Sequence, residues 1–112
     1  MVIRNVEERK LDEKNRVHLG QKNNSEVYLR VHKVGQEICL LVTKSTALEV
    51  IEWVCTVDKQ GRIIIPKKAR EIAGLNGNTV IIGELLDTNG EPSCLIISSD
   101  SFQRVLEWLL QQ

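Results

Sequence analysis

Between Lys59 and Arg70 the chain carries five basic side chains (Lys59, Arg62, Lys67, Lys68 and Arg70) and no acidic one. Cations gathered this closely bind anions, phosphates above all. Their setting is specific. The segment "VDKQGRIIIPKKAREIAGL", Val57 to Leu75, reads as a turn, a short strand and the start of a helix. In "DKQGR", Asp58 can accept backbone N–H bonds from the residues that follow. Gly61 supplies the positive φ that ends such a turn, and Arg62 enters the next strand beside it. Lys67, Lys68 and Arg70 then fall in the first turns of a helix, where cations oppose the dipole at a cost of a few tenths to about 1 kcal/mol. Phosphate bound there would account for that placement. A solvated basic face would account for any one lysine taken alone.

The turn occurs twice. "KLDEKNRVHLGQ" aligns with "TVDKQGRIIIPK" at an offset of 46 residues, pairing Asp12 with Asp58, Arg16 with Arg62 and Gly20 with Pro66. "GQEICLLVTKSTALEVIEWV" aligns with "GEPSCLIISSDSFQRVLEWL" at an offset of 55, pairing Cys39 with Cys94, Val50 with Val105 and Trp53 with Trp108. The difference is an insertion covering most of "KKAREIAGLNGN". The chain therefore reads as a tandem duplication within one domain, 1–112. Repeat 1 spans about 1–55 and lacks the short helix; repeat 2 spans about 56–112. Asn15 stands where the second repeat has Gly61, and Asn is the best non-glycine residue for a left-handed turn position. If both turns lie on one face, Arg16 and Arg62 project from it as a pair. Each could instead pair with the aspartate of its own turn, and the two roles are compatible.

Each repeat reads strand, turn, strand, optional helix, two strands, helix. "RIIIP" is a β-branched run. "EVYLRVHKVGQEICLLV" reads as two strands turning near Gly35, and "NTVIIGELL" and "SCLIIS" as two more joined by "DTNGEP". Pro66 and Gly74 bracket the inserted helix. The closing helices start at Thr46, with Glu49 completing a capping box, and at Asp100, with Gln103 in the same place. Their apolar stripes are Ala47, Val50, Ile51 and Val54, and Phe102, Val105, Leu106 and Leu109. Trp53 and Trp108 lie off those stripes, either covering the edge of the core or joining repeats or chains.

With these residues in view, "VDKQGRIIIPKKAREIAGL" resembles the signature of the swapped-hairpin barrel regulators, the AbrB, MazE and SpoVT group, and of MraZ, which carries two D-x-x-x-R turns in one chain. Asp58, Gly61, Arg62, Pro66, Arg70, Gly74 and Leu75 fall on that pattern. The first repeat keeps Asp12 and Arg16, has Asn15 for Gly and Gly20 for Pro, and lacks the helix. The resemblance implies a mainly β, α+β fold with short helices: a pseudo-twofold, double-split β-barrel whose two repeats exchange hairpins within one chain. It also implies a cytoplasmic DNA-binding transcription regulator whose partner is double-stranded DNA. By position the contacts fall on Arg62 and Arg70 in the second repeat and on Arg9 and Arg16 in the first, with Lys59 and Lys67 as basic neighbours. Cys55 stands where the first repeat has Arg9, and Glu71 follows Arg70 where a second base is often found. The basic set is split between the repeats, so the face is expected to be asymmetric and poorly matched to a perfect palindrome. Homo-oligomers, as in MraZ, remain open. The alternative is a protein-interaction module, an antitoxin or assembly adaptor, although the ending "LLQQ" offers no long tail of the toxin-binding kind.

Bulk properties narrow the remaining classes. A chain of 112 residues suits one unit with a workable core. Fifteen basic and fifteen acidic residues cancel, so electrostatic function must come from local clustering. Cys39, Cys55 and Cys94 stand far apart and sit mostly in apolar runs, as buried thiols do. His18 and His32 fall in strand-like stretches outside any ligand or nucleophile motif. With no Gly-rich phosphate loop or carboxylate pair, neither an enzyme nor a metal, cofactor or small-molecule substrate is expected. The start "MVIRNVEERK" is too charged for a signal peptide and no apolar run reaches spanning length, so a cytosolic protein without membrane association is expected.

Overall fold

The β-branched and aliphatic runs form strands, and among the described residues two helices cover them. The structure, a computed structural model, describes residues 2–20, 25–43, 52–75, 77, 79–86 and 92–111. In chain order the elements are β1 (Val2–Lys10), β2 (Arg16–His18), β3 (Glu26–Val34), β4 (Glu37–Thr43), β5 (Trp53–Thr56), β6 (Arg62–Ile64), α1 (Lys67–Ile72), β7 (Thr79–Leu86), β8 (Pro92–Ser98) and α2 (Ser99–Leu110). Six strands make an antiparallel sheet in the order β1-β7-β8-β4-β3-β5, and β2 and β6 pair separately as a two-stranded ribbon. The order reads the same from either end once β1 to β4 are exchanged for β5 to β8. Among the described residues, only β3/β4 and β7/β8 join strands of the same half. The ladders β1/β7, β3/β5, β4/β8 and β2/β6 all join one half to the other.

Both faces of the sheet are covered, which is why "CLLV" and "CLII" read as continuous apolar runs rather than alternating ones. Strand alternation sends Leu40, Val42 and Ile96 to one side, where they meet Val17 and Ile63 of the ribbon and Ala69 of α1. Cys39, Leu41, Leu95 and Ile97 face the other side and pack under Phe102, Val105, Trp108 and Leu109 of α2. The molecule is thus layered as ribbon with α1, sheet, and α2. In β1 the register shifts between Arg4 and Glu7, with Asn5 at φ 53°, so the strand bulges as it passes Gly83.

The β3–β4 hairpin turns at Gly35 as expected. Gly35 has φ 62°, and a Cβ there would lie 2.9 Å from Cδ2 of Trp108. One position therefore meets two demands, a left-handed backbone and room for an indole ring. Trp108 packs against the core, whereas Leu106, expected in the buried stripe, is 39% exposed. The cap of helix α2 lies two residues earlier than the Asp100 that the sequence signals. Ser98 caps it by accepting from the Ser101 N–H at 3.1 Å, and Asp100 sits within the first turn, where its charge complements the dipole. Helix α1 ends as expected: the Leu75 N–H reaches the Arg70 carbonyl at 2.8 Å across Gly74 at φ 66°.

The closing helix expected in the first half needs correction at its end. Trp53 and Val54 belong to β5, opposite Leu29 and Tyr28. An aromatic and β-branched "WVCT" run beside an open strand edge is held by ladder bonds rather than by helical spacing. Thr46, Ala47, Glu49, Val50 and Ile51 lie outside the described residues, as does the turn at 87–91. β5 spans the expected junction between repeats at 55/56.

Candidate functional site

The two turns are built alike, bond for bond. Asp12 Oδ1 accepts from the N–H groups of Lys14 and Arg16, both at 2.9 Å, and Asp58 Oδ1 accepts from those of Gln60 and Arg62, both at 2.9 Å. Asn15 at φ 59° and Gly61 at φ 79° close the turns, their N–H groups donating to the Asp12 and Asp58 carbonyls. The arginine Nε then returns to the same aspartate, Arg16 to Asp12 Oδ2 at 2.6 Å and Arg62 to Asp58 Oδ2 at 2.9 Å. Each carboxylate is held below the usual aspartate range, first by the backbone N–H of its arginine and then by the guanidinium.

The ribbon brings the two turns together. Arg16 lies opposite Ile64, Val17 opposite Ile63 and His18 opposite Arg62. The ladder extends symmetrically, with the Leu19 N–H donating to the Gly61 carbonyl at 2.8 Å and the Ile65 N–H to the Asn15 carbonyl at 3.0 Å. Val17 and Ile63 point into the core, so Arg16, His18, Arg62 and Ile64 share the outer face. Arg62 Nη1 stands 3.9 Å from Asp12 Oδ2, the oxygen that also holds Arg16. Both expected roles are therefore present: each arginine pairs with its own aspartate, and the two guanidinium groups are neighbours, each side chain 26% exposed. Because Nε is fixed by the aspartate, each guanidinium is oriented while its terminal nitrogens form no hydrogen bond among the described residues.

The other expected contacts are spread around this centre. Lys59 is exposed in the second turn, and Lys67 and Lys68 are exposed at the head of α1. Arg70 is half-buried, its Nε donating to the Ile65 carbonyl at 3.2 Å. Ile65 thus links Arg70 to the first-repeat turn through a single residue. Helix α1 has six residues, too few for a strong dipole, so the lysines at its head act through their own charge. The turn "DEKNR" balances its charges, whereas residues 58–75 hold five bases against two acids, so beside the ribbon positive charge is concentrated at the second turn and α1.

Arg9 is not part of the ribbon. It lies on β1, pairs with Glu7, and leaves its buried Nε without a hydrogen-bond partner. It borders a groove of about 330 Å³ together with Glu7, Leu19, Gly20, Glu84 and Cys94. Cys39 and Cys94 are free thiols pushed up to about 12 by burial, Cys94 also by the charge of Glu84. No cluster of three or more His, Cys, Asp or Glu that could hold a metal occurs among the described residues. No helix there is long and apolar enough to cross a membrane.

Two residues of the outer ribbon face went unread in the sequence. His18 is exposed, and the Gly20 N–H donates to its Nδ1 at 3.0 Å, which assigns the proton of the neutral ring to Nε2. Ile64 is 59% exposed. Their shared position was available from the offset of 46, which aligns one with the other.

No family model matches the chain, and no solved structure matches it. Among curated proteins it is similar to an uncharacterized protein of Archaeoglobus fulgidus, 42% identical over 55 residues, which are 48% of this chain and 70% of that one.

Proposed function

We propose that this chain, which belongs to the same family as the Archaeoglobus fulgidus protein, is a double-stranded-DNA-binding transcription regulator of the AbrB/MraZ-like, swapped-hairpin type. The observation that carries this reading is the ribbon: two D-x-x-x-R turns on paired strands, with Arg16 and Arg62 meeting at one oxygen of Asp12. A strand order symmetric under exchange of halves supports the duplicated, hairpin-exchanging architecture.

A two-stranded ribbon is narrow enough to enter the major groove. Arginines oriented by aspartate arrive with their terminal N–H groups already aimed, so less side-chain entropy is lost on contact. Lys59, Lys67 and Arg70 grip backbone phosphates on the side of the second repeat, and Arg9 is the flanking contact of the first. Phosphate contacts carry no sequence information and make affinity fall with salt, with a logarithmic slope of about −0.9 per contact.

The test is fluorescence anisotropy with a labelled duplex pool at several salt concentrations. Arg16→Ala with Arg62→Ala is expected to weaken binding and flatten the salt slope by about two contacts. Equal affinity and equal slope in the double variant would remove this face from the mechanism. Stable association with a protein partner, without salt-dependent DNA binding, would favour the interaction-module reading instead.

A further inference from the structure

We infer that the ribbon reads an asymmetric DNA site, and that His18 and Ile64 are the residues that set the asymmetry. The inference rests on the DNA-binding reading above. The outer face of the ribbon is a two-by-two array, Arg16 beside Ile64 in one row and His18 beside Arg62 in the next. Exchanging the halves at the offset of 46 carries Arg16 onto Arg62 and His18 onto Ile64. One diagonal is thus chemically identical and the other is not.

The identical diagonal suits duplex DNA, whose own twofold axis offers equivalent edges on its two strands. Two residues of strand cover about 7 Å, close to two base-pair steps of 3.4 Å, so both arginines can address one short core. Guanidinium groups with Nε committed to Asp12 and Asp58 present their terminal pair of nitrogens, which matches O6 and N7 of guanine. The unlike diagonal then discriminates between the half-sites. His18 offers an Nε2 donor, fixed as such by the Gly20 N–H on Nδ1, and would take a guanine acceptor in the half shared with Arg62. Ile64 offers no polar atom, and as a 59%-exposed side chain among ionic groups it suits the thymine methyl in the half shared with Arg16.

Selection from a random duplex library tests this with three proteins: the parent, His18→Ile and Ile64→His. Both positions are exposed, and circular dichroism confirms that each variant is folded before selection. The parent is expected to enrich a site that is symmetric at the guanines read by Arg16 and Arg62 and asymmetric at the pairs facing His18 and Ile64. His18→Ile makes the array twofold symmetric, so its site should become palindromic with thymine in both halves. Ile64→His should give the other palindrome. Reverting the Ile64-facing thymine is expected to cost the parent about tenfold in affinity, toward the low end for one mismatched pair. A palindromic parental site, binding without any motif, or a motif unmoved by both substitutions overturns the inference while leaving DNA binding intact. Failure of the parent to bind any duplex takes down both.

Discussion

At the scale of single residues the aspartates matter as much as the arginines. Asp58→Asn keeps an oxygen for the turn N–H groups but gives up the charge facing Arg62, so it separates turn formation from arginine orientation. Asp12 and Asp58 have lowered folded values. Their stabilising contribution is therefore present above the unfolded-chain pKa of about 3.9 and is lost as pH falls through the lower folded values. Thermal melts between pH 7 and pH 2.5 are expected to show the parent losing stability more steeply than an Asp12→Asn, Asp58→Asn double variant, with the gap between them closing in acid. A constant gap would mean the carboxylate charge contributes nothing to the turns. The cysteines behave oppositely. With Cys39 and Cys94 pushed up to about 12, a neutral-pH thiol reagent should label them slowly in the folded chain and rapidly in guanidinium chloride. The pairing of each arginine with its own aspartate was legible from the spacing of D-x-x-x-R. The contact of Arg62 with Asp12 was not, because it depends on strand pairing across 46 residues.

Elements show where local pattern suffices and where packing overrides it. Asn15 and Gly61 were read as equivalents from turn chemistry alone, and both have positive φ. Asn15→Gly is expected to leave the melting temperature nearly unchanged, whereas Asn15→Val should cost about 1–2 kcal/mol, the penalty for a side chain in the left-handed region. Chemical denaturation would measure both. Gly35→Ala is expected to cost about 1–3 kcal/mol, through its φ of 62° and a Cβ 2.9 Å from the Trp108 ring. Adding Trp108→Ala should relieve part of the Gly35→Ala penalty, so the pair should be non-additive; simple additivity would show that the ring does not press on Gly35. The strands β3, β4, β7 and β8 were legible as apolar, β-branched-rich runs bounded by turn residues, and burial on both faces explains why "CLLV" and "CLII" do not alternate. Trp53 and Val54 were misread as helical because their spacing fits the repeat's other closing helix, while the β3 edge that claims them lies more than twenty residues away. Similarly, Leu106 fitted the stripe by spacing but is 39% exposed, whereas Trp108 packs over Gly35 on the buried side of α2.

The whole molecule is held by pairing between its halves. Among the described residues four of the six strand ladders cross from one half to the other, and the ribbon that carries the arginines exists only when both are present. Unfolding should therefore be a single transition with coincident fluorescence and circular dichroism midpoints. A chain of 1–55 alone should be either unfolded or dimeric, since its edge strands lack partners. A folded monomer would contradict that dependence. The likeness of the two D-x-x-x-R turns was legible from the fixed offset of 46, but not which strands pair, since register is set by packing of both sheet faces rather than by local pattern alone. The groove beside Arg9 was likewise unreadable, being assembled from β1, β7, β8 and the residues after β2. A DNA-binding role requires that the duplex meet the outer face of the ribbon. Backbone amide shifts recorded while a duplex is titrated into the labelled protein test it most directly. Perturbations are expected to concentrate at residues 12–19 and 58–70, with α2 and the strand residues beneath it unmoved. Shifts centred on α2, or none at all at low salt, would contradict the account.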